Sequence, residues 1–198
     1  MTYQWRNVIP GSKRQGLFVH VPRTGGRSLL RVFNCPSSHY PAAEHRRRIP
    51  KDVWDSLWKF AVVRNPWDHY VSMWLCSHGR GNPADVRDEI PAFRRWITDG
   101  GIGLKVWGGI ARVNALDQLA FVADKEGEIL LDRVYIFPQL QDAADDAHKI
   151  LGTRKAEVPY VGKSPRLHYR EYYDDECRQA VAAWRKAEIK RFGFKFTK

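Results

Sequence analysis

Leu17-Phe-Val-His-Val-Pro-Arg-Thr-Gly-Gly-Arg-Ser-Leu-Leu30 is the stretch that decides the fold. Leu17 to Val21 is a short apolar run, the pattern of a buried strand. Pro22 to Gly26 punctuates it as a tight loop. From Ser28 to Phe33 the apolar Leu29, Leu30 and Phe33 recur at helical spacing. The loop Pro22-Arg-Thr-Gly-Gly-Arg-Ser28 has the chemistry of a phosphate cradle. Gly25 and Gly26 let backbone N–H groups turn inward, and the helix N-terminus adds the positive end of its dipole. Thr24 and Ser28 add hydroxyls, and Arg23 and Arg27 add charge. The competing reading is an ordinary Gly-Gly turn with solvated arginines. The Walker pattern G-x-x-x-x-G-K-[ST] is absent, which argues against a nucleotide triphosphatase.

Outward from that stretch the alternation continues. Lys59-Phe-Ala-Val-Val63 reads as a second strand, running into Arg64-Asn65-Pro66. Asn65 suits a helix N-cap and Pro66 the first turn. Trp67, Tyr70, Val71 and Trp74 then form one apolar helix face. A helix is expected around Ala92–Ile97, inside an irregular Gly-rich stretch, 77–115. Arg133-Val-Tyr-Ile-Phe137 predicts a third strand, followed by a helix through Ala143, Ala147 and Ile150 that Gly152 stops. One last helix is expected from Asp174-Asp175-Glu176 to Lys190-Arg191, closed by Gly193, with charges that suit its dipole. The expectation is an α/β fold: a single domain over 1–198, with a mainly parallel sheet flanked by helices and a P-loop-like phosphate-binding strand-loop-helix.

Arg64-Asn-Pro-Trp-Asp-His-Tyr-Val-Ser72 is the second informative constellation. Arg64 ends a strand, and in open parallel sheets ligands bind beyond the carboxyl ends of strands. Arg64 is therefore expected in the same crevice as the Gly-Gly loop, with Ser72 two helical turns on. A surface ion pair and a serine on a wet helix face are the competing readings.

Composition narrows the partner. Hydrophobic residues are 43% and charged ones 28% of 198, so a largely disordered chain is not expected. Lys and Arg number 33 against 22 Asp and Glu, a net charge of +11 that favours an anionic partner. Cys35, Cys76 and Cys177 are far apart, which suggests neither a disulfide framework nor a zinc site. Met1 to Arg6 has no apolar run, so neither a secretion signal nor a membrane span is expected, and a reducing cytoplasm is the default address.

Taken together, His-Val-Pro-Arg-Thr-Gly-Gly-Arg-Ser-Leu and Val-Val-Arg-Asn-Pro-Trp-Asp-His-Tyr-Val-Ser resemble the paired signatures of the sulfotransferase superfamily. The similarity is greatest to its carbohydrate-type branch (sulfotransferase family 2), with patterns I-P-K-T-G-G-T-S and R-N-P-x-x-R-x-x-S. Asp132 to Phe137, Lys163-Ser164, Tyr169 to Asp174 and Arg191 to Phe196 resemble later parts of that family. Arg23 stands where the family has lysine, Arg27 where it has Thr, His69 where a second arginine is usual, and Pro138 where an acidic residue is common. The resemblance implies a donor, 3′-phosphoadenosine 5′-phosphosulfate, held without a metal. It assigns Arg23, Thr24, Gly25, Gly26, Arg27 and Ser28 to the 5′-phosphosulfate, with Arg23 also catalytic. It assigns Arg64 and Ser72 to the 3′-phosphate, and Lys163 and Ser164 to a loop closing over the nucleotide.

Transfer to a hydroxyl needs a base. Among His20, His39, His45, His69, His78, His148 and His168, the resemblance favours His39, in Ser38-His39-Tyr40, because a histidine between the two signatures serves as base in several relatives. His20 reads as a packed core residue and His45 as part of the solvated or acceptor-facing run His45-Arg46-Arg47-Arg48. Glu44 is the next candidate. For the acceptor, most simply a glycan, Arg46 to Arg48, Arg80, Arg94, Arg95 and Arg112 are candidate groove residues. Trp74, Trp96 and Trp107 are candidate stacking surfaces or core. The alternative function is a basic, non-catalytic nucleic-acid or polyanion binder. The net charge suits both readings, but no recognised nucleic-acid motif supports the second. A kinase-like phosphotransferase lacks the loop Lys-Ser pair.

Overall fold

The computed structural model describes residues 7–36, 38–78, 87–101, 114, 116–161 and 166–197. Its strands are β1 (Val8–Ile9), β2 (Gly16–Val19), β3 (Trp58–Val63) and β4 (Arg133–Ile136). They form one open sheet in the order β1-β2-β3-β4. β2, β3 and β4 are parallel, with Val19 opposite Ala61 and Ala61 opposite Val134, and β1 pairs antiparallel with β2. The expected mostly parallel α/β sheet is present, and each of the three expected strands lies within two residues of its place. β1, two residues long, carries too little pattern to be read from sequence. Every residue of β2 and β3 is buried, which is why both read as near-continuous apolar runs, broken in β3 by Lys59 alone.

The chain divides into two compact units, one drawn from Met1–Val63 and Gly108–Gly162, the other from Arg64–Trp107 and Lys163–Lys198. The first holds the whole sheet, with α1 (Gly26–Phe33), α2 (Ala42–Arg48), α3 (Lys51–Ser56), α6 (Gln118–Val122) and α7 (Leu140–Leu151). Phe18, Trp58, Phe60, Val62 and Tyr135 share a core with Leu29, Leu30 and Phe33 of α1 and Ala143, Ala144, Ala147 and Leu151 of α7. Phe60 is its centre, with the rings of Trp58, Phe18, Phe33 and Tyr135 at 4.6, 5.1, 6.0 and 6.1 Å. Gly152 ends α7 in the left-handed conformation, as expected. Lys59, in the alternate register to Phe60, is buried but served. Its ammonium donates to the Leu57 and Trp54 carbonyls at 2.7 and 3.3 Å and meets Asp132 at 3.3 Å.

The second unit is helical: α4 (Pro66–Ser77), α5 (Ile90–Thr98), a 3₁₀ turn (Tyr169–Tyr172), α8 (Asp175–Trp184) and α9 (Lys186–Phe192). Asn65 caps α4 by accepting from the Trp67 amide at 3.1 Å. The last helix differs from its expectation. It is two helices, because Arg185 leaves helical geometry at φ −109°, ψ 23°. Neither Gly nor Pro marks that break. Of the stretch 77–115, α5 is described. Among the described residues no helix is long and apolar enough to cross a membrane, and all three cysteines are free.

Phe60→Ala should cost about 3–5 kcal/mol of unfolding free energy in urea titration, since a ring touching four others leaves a cavity the sheet cannot close.

Candidate functional site

The loop between β2 and α1 turns sharply. Arg23 has φ 62° and Gly25 φ 83°, both left-handed. Gly25 adopts that geometry freely, but Arg23 does so against its Cβ. Gly26 is required for another reason: an added Cβ would lie 2.1 Å from Cδ2 of His20. Gly25 is the N-cap of α1 and no side chain caps the helix. Its first amides thus lack the usual side-chain acceptor and favour negative charge in front of them. Arg23 is half-buried and Arg27 exposed. Thr24 is buried and its hydroxyl donates to the Val21 carbonyl at 2.9 Å, so its proton shapes the turn. The buried Ser28 hydroxyl accepts from the Val161 amide at 3.1 Å, which leaves its own proton to donate.

His39 lies in the same unit. Its Nδ1 is 2.9 Å from the His20 carbonyl oxygen. A carbonyl only accepts, so in the neutral ring Nδ1 carries the proton and Nε2 the lone pair. The two imidazoles lie 4.2 Å apart between centroids. His20 sits just beyond β2, buried and stacked on Phe18 at 5.6 Å. Burial, and then the charge of His39, push its pKa down to about 3. The expected packed histidine is thus packed, and its carbonyl also orients the candidate base.

Sequence reading passed over Asn7. Fully buried at φ 68°, a conformation asparagine tolerates, it clamps the chain before His39 onto β2. Its side-chain amide donates to the carbonyls of Phe18 at 2.8 Å and Ser38 at 2.9 Å, while its oxygen accepts from the Ser38 amide at 2.5 Å. Its backbone N–H reaches Pro36 O at 2.8 Å. The only signal was a buried-type position held by an amide beside a short apolar pair, too weak to find.

Two readings around α2 need correction. His45 is not solvated. It is fully buried, because Ala42, His45 and Ile49 form the inward face of a short helix. Neither of its ring nitrogens has a hydrogen-bond partner, and burial pushes its pKa down to about 4. Glu44 is a poor base, since hydrogen bonds from Arg47 (2.9 Å) and Arg48 (2.5 Å) help hold its pKa down to about 2.

In the second unit Arg64 is buried and its Nε donates to Asp68 Oδ2 at 2.5 Å. Arg166 meets the other oxygen of Asp68 at 2.7 Å. Burial alone would raise the Asp68 pKa, but the two guanidiniums outweigh it and lower it. Ser72 is buried on the same helix, α4. Trp74 and Trp96 sit in an aromatic core with Tyr70 and Phe93, at 5.4 Å from one another, so for Trp74 the core reading holds. Arg94 is tied to Tyr172 O at 3.0 Å and to Asp174 at 3.5 Å, whereas Arg95 is exposed. Lys163, Ser164, Arg80, Arg112 and Trp107 lie outside the described residues. No group of three His, Cys, Asp or Glu suited to a metal occurs among the described residues.

Arg23→Gly should melt higher than Arg23→Ala, by about 1 kcal/mol or more, because glycine removes the left-handed strain that alanine keeps. For His20 and His45, folding lowers the pKa, so the unfolded chain binds protons first. Stability present above pH 6.5 is lost as pH falls through 6.5 toward 4 for His45 and 3 for His20. Each should cost about 2 kcal/mol between pH 7 and pH 5. His45→Leu should remove its share of that acid slope in urea titrations, with no loss of stability at pH 7. The chain matches no protein-family model, no curated protein and no solved structure, so its residues themselves carry the case for function.

Proposed function

We propose that this protein is a sulfotransferase, moving a sulfuryl group from 3′-phosphoadenosine 5′-phosphosulfate to a hydroxyl of an acceptor, most simply a carbohydrate, in a reducing compartment such as the cytoplasm. The observation that carries the reading is the β2–α1 loop. A left-handed Gly25 leads into a helix start with no side-chain cap, beside Arg23 and a Ser28 hydroxyl with a proton to give. That set fits a phosphosulfate, and on this reading the loop works as a P-loop-like phosphate cradle. For the 3′-phosphate the reading looks to Arg64, which Asp68 orients, and to Ser72 on the same helix as Asp68.

The donor supplies a sulfuryl group on a phosphate leaving group. Transfer breaks the bond from sulfur to the bridging phosphate oxygen, which keeps the electron pair, and forms a bond from sulfur to the acceptor oxygen. The acceptor's proton goes to Nε2 of His39, the ring nitrogen that the His20 carbonyl leaves with a lone pair. Arg23 stabilises the charge that develops on the departing phosphate, as a planar fork in place of a lysine's point charge.

Thermal melts with 3′-phosphoadenosine 5′-phosphate test the donor site. At a hundredfold excess over its dissociation constant, stabilisation should reach about 2.7 kcal/mol, and 5′-AMP should give far less. Equal shifts from the two nucleotides would remove the 3′-phosphate site and leave the polyanion-binding alternative. In a screen of radiolabelled donor against glycan, lipid and phenol acceptors, Arg23→Ala should slow transfer about 10²-fold or more. His39→Ala should slow it about 10²–10⁴-fold with nucleotide affinity unchanged.

A further inference from the structure

The carbonyl and the ring of His20 both touch the candidate base. Its carbonyl accepts from Nδ1 of His39 at 2.9 Å, and its ring lies 4.2 Å from the His39 ring. The His20 ring also stacks on Phe18 at 5.6 Å, and Phe18 stands 5.1 Å from Phe60 at the centre of the core. The ring also fills the space over Gly26, within 2.2 Å of where a Cβ would be. His20 thus has little room to move. Asn7 fixes the chain one residue before His39.

We infer that His20 is a positioning residue, a flat wall anchored in the core that keeps the His39 ring on the carbonyl and so keeps its lone pair on Nε2. The inference rests on the sulfotransferase reading for its catalytic meaning, though not for its geometry. An imidazole at liberty favours the proton on Nε2, the wrong nitrogen for a base that acts through Nε2. Holding the ring against a carbonyl reverses that preference, and a wrong tautomer removes the base without removing the residue. The wall must also not compete for the proton. Burial and the neighbouring charge keep His20 neutral, so the proton taken from the acceptor stays on His39.

Two variants of similar volume separate positioning from plain packing. His20→Phe keeps a flat ring on Phe18, and His20→Leu fills the space without one. Long-range proton–nitrogen correlation spectra of the full chain, labelled at histidine nitrogen, read the His39 tautomer without any ligand. The wild type and His20→Phe should show the proton on Nδ1. His20→Leu should show a mixture, transfer about 10- to 100-fold slower, and bind 3′-phosphoadenosine 5′-phosphate as before. The same tautomer in both variants, or a wild-type His39 protonated on Nε2, would overturn the assignment. Loss in both variants alike would reduce His20 to a packing residue. A wild-type chain that binds no 3′-phosphorylated nucleotide would instead overturn the sulfotransferase reading, and the tautomer comparison would still decide the role of His20.

Discussion

Residue 26 has no side chain, and the first unit is organised around that fact. The end of β2 and the start of α1 approach so closely that the His20 ring lies where a Cβ would stand. The loop between them must therefore turn within a few residues, which places both Arg23 and Gly25 in the left-handed region. The strain at Arg23 persists because β2 and α1 are each fixed by the core, through Phe18 on one side and Leu29, Leu30 and Phe33 on the other. A contact route runs from Phe60 through Phe18 and His20 to His39. The candidate base is thus seated on the core by a chain of ring contacts rather than on a loop by itself.

Carboxylates organise the excess of positive charge. Glu44 gathers Arg47 and Arg48 on α2, and Arg48 also lies 4.8 Å from the Tyr40 ring centre. Asp68 gathers Arg64 and Arg166. In both clusters one anion orients two guanidiniums. Long cationic side chains held this way lose less freedom on meeting an anion than free ones would. The exposed Glu44 pairs are weak as stabilising contacts, so their role is better described as orientation.

β2 and β3 were legible because they are buried on both faces and followed by Gly, Pro or Asn. Asn65 and Pro66 marked the start of α4 to the residue, since a cap and a fixed φ are local effects. The helix break at Arg185 was not legible, because it depends on tertiary context rather than on a helix-breaking residue. His45 was misread for a related reason. Three arginines follow it, and the run looks solvated until Ala42, His45 and Ile49 are seen to share one face. The loop residues Arg23 to Ser28 and the base candidate His39 were named from sequence. What sequence withheld was the clamp of Asn7 and the partnership of His20 with His39, both of which join residues 19 to 31 positions apart across loops. The α4 pairing of Arg64 with Asp68 was open to reading at i, i+4 spacing, but the third partner, Arg166, was not.

The two outer strands of the sheet have a consequence for how copies of the chain meet one another. β1 offers two residues and β4 four, and β4 begins with an exposed arginine whose guanidinium lies 5.2 Å from the Tyr135 ring centre. A strand this short presents few backbone groups in line, and a charged first residue disfavours a second strand laid alongside. The apolar β2 and β3, which would make effective templates for edge-to-edge aggregation, are both held in the interior of the sheet.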